Sequence, residues 1–212
     1  MSDTKKRIGL MGGTFDPIHI GHLILGEKAY EQLNLDSVWF MPSGNPPHKR
    51  DRAGRANDKQ RVEMVKKAIA ENAHFELSLF EMNQDGYSYT YLTLEKLKEQ
   101  YPDHEFFFII GADSLFDFPS WKEPARICAA CKMVVATRNH TSLQELNDGM
   151  KEMAERYQGT FLRLDTPDID ISSNHIREMI QKNESIRYYV PDSVKDYIDD
   201  HHIYRPKRGS LQ

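Results

Sequence analysis

Apolar residues fall along this chain in two alternating rhythms. Six short runs are nearly continuous in apolar character, at residues 8–11, 37–41, 75–79, 105–110, 132–137 and 160–164. Runs of this length read as strands buried on both faces, most clearly E-F-F-F-I-I at 105–110. Between them the apolar positions recur at helical spacing. These stretches run from Ile18 to about Asn34, over 58–71 with Val62, Val65 and Ile69 on one side, over 87–101, and over 142–157. Strand alternating with helix predicts βαβ units and an α/β fold, a Rossmann-like, doubly wound parallel sheet. After residue 165 the rhythm changes. Two helical stretches follow with no strand between them, one opening at I-S-S-N-H-I-R and one near 191–201 that packs through Val194, Tyr197 and Ile198. Residues 1–165 are therefore predicted to form the core. Residues 166–212 form a small C-terminal helical extension packed on it, ending in a disordered R-P-K-R-G-S-L-Q tail.

Composition changes that picture only at its edges. The 212 residues suffice for one substantial core and an appendage. A content of 39% hydrophobic and 28% charged residues excludes a disordered chain. The net charge of -4 argues against a polyanion binder, so no nucleic-acid partner is expected. No apolar run approaches the roughly 18 residues of a membrane span, and no membrane partner is expected. The N-terminal M-S-D-T-K-K-R lacks the pattern of a secretory signal, which predicts a cytoplasmic location. Cys128 and Cys131 form C-A-A-C at the end of a helical stretch. A redox pair belongs at a helix start, and zinc needs two further ligands, so packed small residues is the better reading.

Chemistry concentrates in I-G-L-M-G-G-T-F-D-P-I-H-I-G-H, residues 8–22. An apolar strand runs into Gly12 and Gly13, then a polar turn with Asp16 and Pro17, then a helix. Glycines at a strand end admit a bulky anion to the backbone, because no Cβ stands in the way. The helix start that follows offers orphan amides and positive dipole, a site suited to phosphate. His19 and His22 lie three apart and so on one helical face, aimed at that place. The P-loop pattern is absent because no lysine follows the glycines, and Gly12, Gly13 and Gly21 have the wrong spacing for G-x-G-x-x-G.

Other candidates sit after strands, where open α/β sheets bind ligands. S-G-N-P-P-H-K-R-D-R-A-G-R-A-N follows the second strand, and Lys49, stiffened by two prolines, is placed to meet a second phosphate. Arg50, Arg52 and Arg55 of the same loop stay undecided. Ser88 and Thr90 open the helix over 87–101 as caps or as substrate contacts. Gly111 and Asp113 end the fourth strand, where a carboxylate accepts a ribose hydroxyl. Trp121 in a polar loop reads as a plate for a flat ring. Ser172 or Ser173 should cap the helix that carries Arg177 one turn inside, aiming hydroxyls, amides and a guanidinium at one anion. His201 and His202 are weak metal candidates, better read as helix-end surface residues.

G-G-T-F-D-P-I-H-I-G-H resembles the signature of the H-x-G-H nucleotidyltransferase superfamily. With S-G-N-P-P-H-K, S-Y-T-Y-L-T-L, I-I-G-A-D-S-L-F-D-F-P-S-W and I-S-S-N-H-I-R, nearly the whole chain resembles the bacterial nicotinate-nucleotide adenylyltransferases. Asn174 departs from that pattern, where a threonine is expected. The resemblance implies transfer of an adenylyl group from ATP to nicotinate mononucleotide, giving nicotinate adenine dinucleotide and pyrophosphate. It implies His19, His22 and Arg177 as catalytic residues. The ATP contacts it implies are Gly12, Gly13, Thr14, Phe15, Gly111, Asp113, Ser172 and Ser173, together with that trio. The acceptor contacts are Lys49, Thr90 and Trp121. Mg²⁺ would arrive with ATP, with no metal site in the protein, and a homodimer is possible. The competing readings are phosphopantetheine adenylyltransferase, a cytidylyltransferase, and a nucleotide sensor without turnover.

Overall fold

The computed structural model describes residues 5–44, 54–84, 88–137 and 142–205. Six strands form one all-parallel sheet: β1 (Lys6–Gly13), β2 (Ser37–Pro42), β3 (Phe75–Leu77), β4 (His104–Gly111), β5 (Lys132–Ala136) and β6 (Phe161–Leu164). Their order is β3-β2-β1-β4-β5-β6, so the winding reverses between β1 and β4. That reversal leaves a crevice at the strands' C-terminal ends, where two neighbouring crossovers leave in opposite directions. The register Leu10↔Phe108 runs on to Gly13 and Gly111, the last residues of the two strands, and sets them level at that crevice.

The helices among the described residues are α1 (Ile20–Leu33), α2 (Asp58–Ile69), α3 (Thr90–Gln100), α4 (Ala112–Asp117), α5 (Pro124–Ala130), α6 (Leu143–Tyr157), α7 (Ser173–Gln181) and α8 (Asp192–Asp200). Each sheet face carries its own core. Phe107 and Ile109 of β4 point to the side of α1, α2, α7 and α8, joined by Phe40, Met64, Val65, Ile176 and Val194. Phe106, Phe108 and Ile110 point to the other, with Leu94 and Leu97 of α3, Ile127 of α5 and Met150 of α6. The period of two within β4 serves both layers, which is why its sequence reads as a solid apolar run. Residues of α7, α8 and the segment after it share the first of these clusters with the sheet.

Local chemistry sets the ends of the elements. Asn57 and Ser142 accept from the amides of Gln60 and Glu145, whose side chains reach back to the cap amides. Asn34 closes α1 in the left-handed conformation that asparagine tolerates. Gly26 of α1 lies where a Cβ would come within 2.9 Å of the Phe40 ring, so the helix rests directly on β2.

Gly12 and Gly13 end β1, paired with Met41 and Pro42, and the turn begins at Thr14. Residues 112–120, for which no element was predicted, form α4 followed by a 3-10 turn, Phe118–Ser120. Ala112, Leu115 and Phe118 are buried at spacings of three, a repeat too short to stand out as a periodic pattern. α3 is preceded by Tyr89, whose side chain makes no capping bond, so neither Ser88 nor Thr90 is the cap residue.

Candidate active site

The turn from Thr14 to His19 is held from several directions. Phe15 adopts the left-handed backbone (φ 49) that buries its ring. A Cβ on Gly13 would come within 3.2 Å of that ring, so the glycine makes room first for Phe15. Arg61, buried on α2, donates from Nη1 to the Thr14 carbonyl at 2.7 Å and from Nη2 to the Ser43 carbonyl at 2.8 Å. This single guanidinium clamps the turn to the end of β2. From α7, Ser173 Oγ donates to the Pro17 carbonyl at 2.8 Å, and Arg177 Nη1 donates to the Asp16 carbonyl at 2.6 Å. The Asp16 carboxylate is itself buried, accepting from Tyr204 OH at 2.7 Å, the Ala56 amide at 3.1 Å and Arg55 Nη1 at 3.0 Å.

His19 and His22 stack at the start of α1 with ring centroids 3.7 Å apart. His19 is buried, and His22 is half-buried with the Phe15 ring edge-on at 5.1 Å. The His19 amide donates to His22 Nδ1 at 3.2 Å. An accepting Nδ1 puts the proton of the neutral ring on Nε2, where it can be given to a phosphate oxygen. The start of α1 is less open than its sequence suggested, because the Ile20 amide donates to the Tyr189 carbonyl at 2.9 Å. At this end of the helix the imidazoles, more than orphan amides, are what an anion would meet. Behind them a cavity runs between α1 and the segments after β5 and β6, with Thr137, Thr166, Pro167, Ile169 and Ile171 on its far wall.

Gly21 lies between the two histidines. A Cβ there would come within 3.1 Å of His19 Nδ1 and 3.2 Å of Cε1, so only glycine leaves the stacked ring undisturbed. Gly21→Ala is expected to lower kcat on the order of tenfold by displacing His19. Helix propensity favours alanine by about 1 kcal/mol, so the melting temperature should hold or rise. A matched drop in both kcat and melting temperature would contradict that reading.

The remaining predicted residues that the structure describes fall at the same end of the sheet, on other elements. Gly111 caps α4 and Asp113 is exposed in its first turn, directly after β4. Trp121, half-buried, packs on Phe118 at 5.5 Å and edge-on to Phe108 at 6.3 Å. The Lys122 ammonium sits 4.2 Å over the Tyr89 ring, which brings the Trp121 segment against the start of α3 and Thr90. Ser172 caps α7, its Oγ accepting from the His175 amide at 3.2 Å. Asn174 accepts from Arg177 Nη2 at 2.9 Å, a role a threonine side chain is too short to copy in the same pose. Burial and the nearby Arg55 hold the Arg177 pKa below its ordinary value. Lys49 lies outside the described residues, as do His48, Arg50 and Arg52.

Cys128 and Cys131 are free and buried, and burial pushes the Cys128 thiol up to about 11 and the Cys131 thiol higher still. Neither has the depressed pKa of a reactive thiol. His201 and His202 are exposed at the end of α8. Among the described residues no group of three His, Cys, Asp or Glu side chains is placed to hold a metal ion, and no helix is long and apolar enough to cross a membrane.

Sequence reasoning missed Asp16, Arg61 and Tyr204 as parts of the site. One signal was available for Arg61: it stands four before Val65 and three before Met64, on the buried stripe of α2, where a charge needs partners. For the Asp16–Tyr204 contact, spanning 188 positions, no local pattern existed.

A stacked histidine pair and buried arginines at the switch point of a doubly wound sheet define a phosphate-handling α/β protein. Residues 10–179 match the family model described as cytidylyltransferase-like. A Synechococcus sp. relative named a probable nicotinate-nucleotide adenylyltransferase is 41% identical over 94% of this chain and 95% of its own. A Bacillus pumilus relative of the same name is 42% identical over 94% of this chain and 98% of its own. The structure of Plasmodium falciparum nicotinic acid mononucleotide adenylyltransferase complexed with NaAD shares the fold, with a TM-score of 0.78 at 21% identity over 94% of this chain and 97% of that one. The chain belongs to the cytidylyltransferase-like family and, within it, to the nicotinate-nucleotide adenylyltransferases.

Proposed function

We propose that the protein joins ATP and nicotinate mononucleotide to give nicotinate adenine dinucleotide and pyrophosphate, a step of NAD biosynthesis. The observation that carries this reading is the stacked His19–His22 pair at the β1/β4 crevice, in a chain 41% identical to a relative of that name.

The acceptor brings its own nucleophile, a phosphate oxygen, so no enzyme side chain need be adenylylated. That oxygen attacks the α-phosphorus of ATP in line, and the bond from the α-phosphorus to the bridging oxygen of the β-phosphate breaks. Catalysis then rests on positioning and on charge stabilisation. His19 and the Nε2–H of His22 face the charge that grows on the α-phosphate and the leaving pyrophosphate. Arg177 and the Ser172–Ser173 end of α7 hold the β/γ end, and the backbone of Gly12, Gly13, Thr14 and Phe15 lines the phosphates' path. The apolar wall of Ile169, Ile171 and Pro167 beside the histidines suits a nucleobase. Gly111 and Asp113 take a ribose. On the acceptor side Lys49 meets the phosphate, and Thr90 and Trp121 meet the pyridine ring. Mg²⁺ would arrive with ATP and would neutralise phosphate charge there.

The direct route has a stereochemical signature. With ATP made chiral at the α-phosphorus by a sulfur substitution, one in-line displacement inverts that centre. Inversion in the dinucleotide product is expected. Retention, which needs a second displacement through an adenylylated side chain, would overturn the mechanism.

A further inference from the structure

The Asp16 carboxylate is 2% exposed, and a charge so buried must be paired. Each oxygen is accounted for. Oδ1 accepts from Tyr204 OH at 2.7 Å and from the Ala56 amide at 3.1 Å. Oδ2 accepts from Arg55 Nη1 at 3.0 Å and lies 3.9 Å from Arg177 Nη1. The same Nη1 donates to the Asp16 carbonyl at 2.6 Å, so one residue holds the Arg177 guanidinium by main chain and by charge. Asn174 accepts from Nη2 at 2.9 Å, so the guanidinium is held at both of its amino groups.

The four partners come from parts of the chain with no local reason to meet. Asp16 stands in the turn between β1 and the histidines, Arg55 and Ala56 precede α2, Arg177 is on α7, and Tyr204 follows α8. Burial raises the Tyr204 pKa above its ordinary value, so its hydroxyl stays a donor across the working pH range. Two guanidiniums share one carboxylate, and the cluster keeps a net positive charge in a place with little water. An incoming triphosphate would neutralise that charge.

Resting on the adenylyl-transfer reading above, we propose that Asp16 is a positioning residue: anchored by Tyr204 and Ala56, it aims the Arg177 guanidinium at the ATP phosphates. It touches no substrate itself. Its effect on the reaction passes through Arg177, and Tyr204 acts one step further back by fixing the carboxylate.

A double-mutant cycle separates this from a structural role. Asp16→Asn, Arg177→Lys, the pair together and Tyr204→Phe are compared with the wild type. The readouts are melting temperature, kcat, KM for each substrate, and calorimetric affinity for a non-hydrolysable ATP analogue. Misplacing a positioned group costs on the order of tenfold to a hundredfold, so Asp16→Asn should lower kcat/KM for ATP by about that much. KM for nicotinate mononucleotide should move by less than about twofold, as it would for a contact on the ATP side alone. Adding Asp16→Asn to Arg177→Lys should remove little more than Arg177→Lys removes, because both disturb one guanidinium.

Losses that multiply in the double variant would overturn the proposal. So would a lowered melting temperature with kcat/KM and analogue affinity unchanged. If Asp16→Asn does not fold, Tyr204→Phe removes one hydroxyl and runs the same cycle against Arg177→Lys, with about a threefold to tenfold loss expected. Non-additive analogue binding, in a wild type that fails to use nicotinate mononucleotide, would uphold the positioning role and sink the acceptor assignment instead.

Discussion

Replacing His22 with alanine is expected to lower kcat by about a hundredfold or more while KM for ATP and acceptor change little. The expectation comes from geometry. The His19 amide donates to Nδ1 of His22 at 3.2 Å, which favours the tautomer that carries its hydrogen on Nε2. Phe15 edge-on and His19 stacked on the other ring leave the imidazole few orientations, so little reorganisation is needed as charge develops. A preorganised donor of this kind acts on the transition state more than on the ground state, and its loss appears in kcat. Saturating both substrates and measuring the steady-state rate of His22→Ala checks this. An unchanged kcat would remove His22 from the chemistry, and a change confined to KM would make it a binding residue only.

The second large effect is preference for the acid over the amide. Nicotinate and nicotinamide mononucleotides differ only in a carboxylate against a carboxamide on the pyridine ring. In the proposed site Trp121 would stack on either ring alike, which gives no discrimination. A carboxylate only accepts hydrogen bonds, whereas a carboxamide also brings donor hydrogens. A pocket made of donors satisfies the acid and leaves the amide's hydrogens facing other donors. The start of α3 has that character: Tyr89 supplies no cap side chain, Thr90 adds a hydroxyl, and the helix dipole is positive there. Lys122 over Tyr89 brings the Trp121–Lys122 backbone alongside, with a further positive charge.

Sites that leave buried polar groups unpaired discriminate by factors of about ten thousand, and a preference of that order in kcat/KM is expected. Thr90→Val should erode it by about tenfold, the worth of one hydrogen bond in such a pocket. Trp121→Phe should weaken use of both mononucleotides about equally. Equal use of both by the wild type would contradict the donor pocket. Selectivity lost in Trp121→Phe and kept in Thr90→Val would reverse the two roles.

The fold was legible because β4 and its neighbours carry unbroken apolar runs, which only a sheet covered on both faces needs. The α4 segment was not legible, since a helix of six residues contains too little of a period to be seen. The histidine pair was legible because H-x-G-H is local and its spacing is itself the geometry. The reason for its glycine was not, because the clash of a Cβ with the His19 ring exists only once the ring is placed. Arg177 was anticipated as an anion contact, but its burial and its hold on Asp16 came from long-range pairing. The Asp16–Tyr204 contact and the bonds from Arg61 to the Thr14 and Ser43 carbonyls follow the same rule: they span 18 to 188 positions, and no local pattern names the partners.

The central claim is the identity of the two substrates, and one panel tests it most directly. Pyrophosphate release and dinucleotide formation would be followed for ATP and CTP, each offered nicotinate mononucleotide, nicotinamide mononucleotide, phosphopantetheine or no acceptor. The account predicts one nicotinate adenine dinucleotide per pyrophosphate with ATP and nicotinate mononucleotide, and no release without an acceptor. Faster turnover with CTP or with phosphopantetheine, or no turnover with any pair, would contradict it.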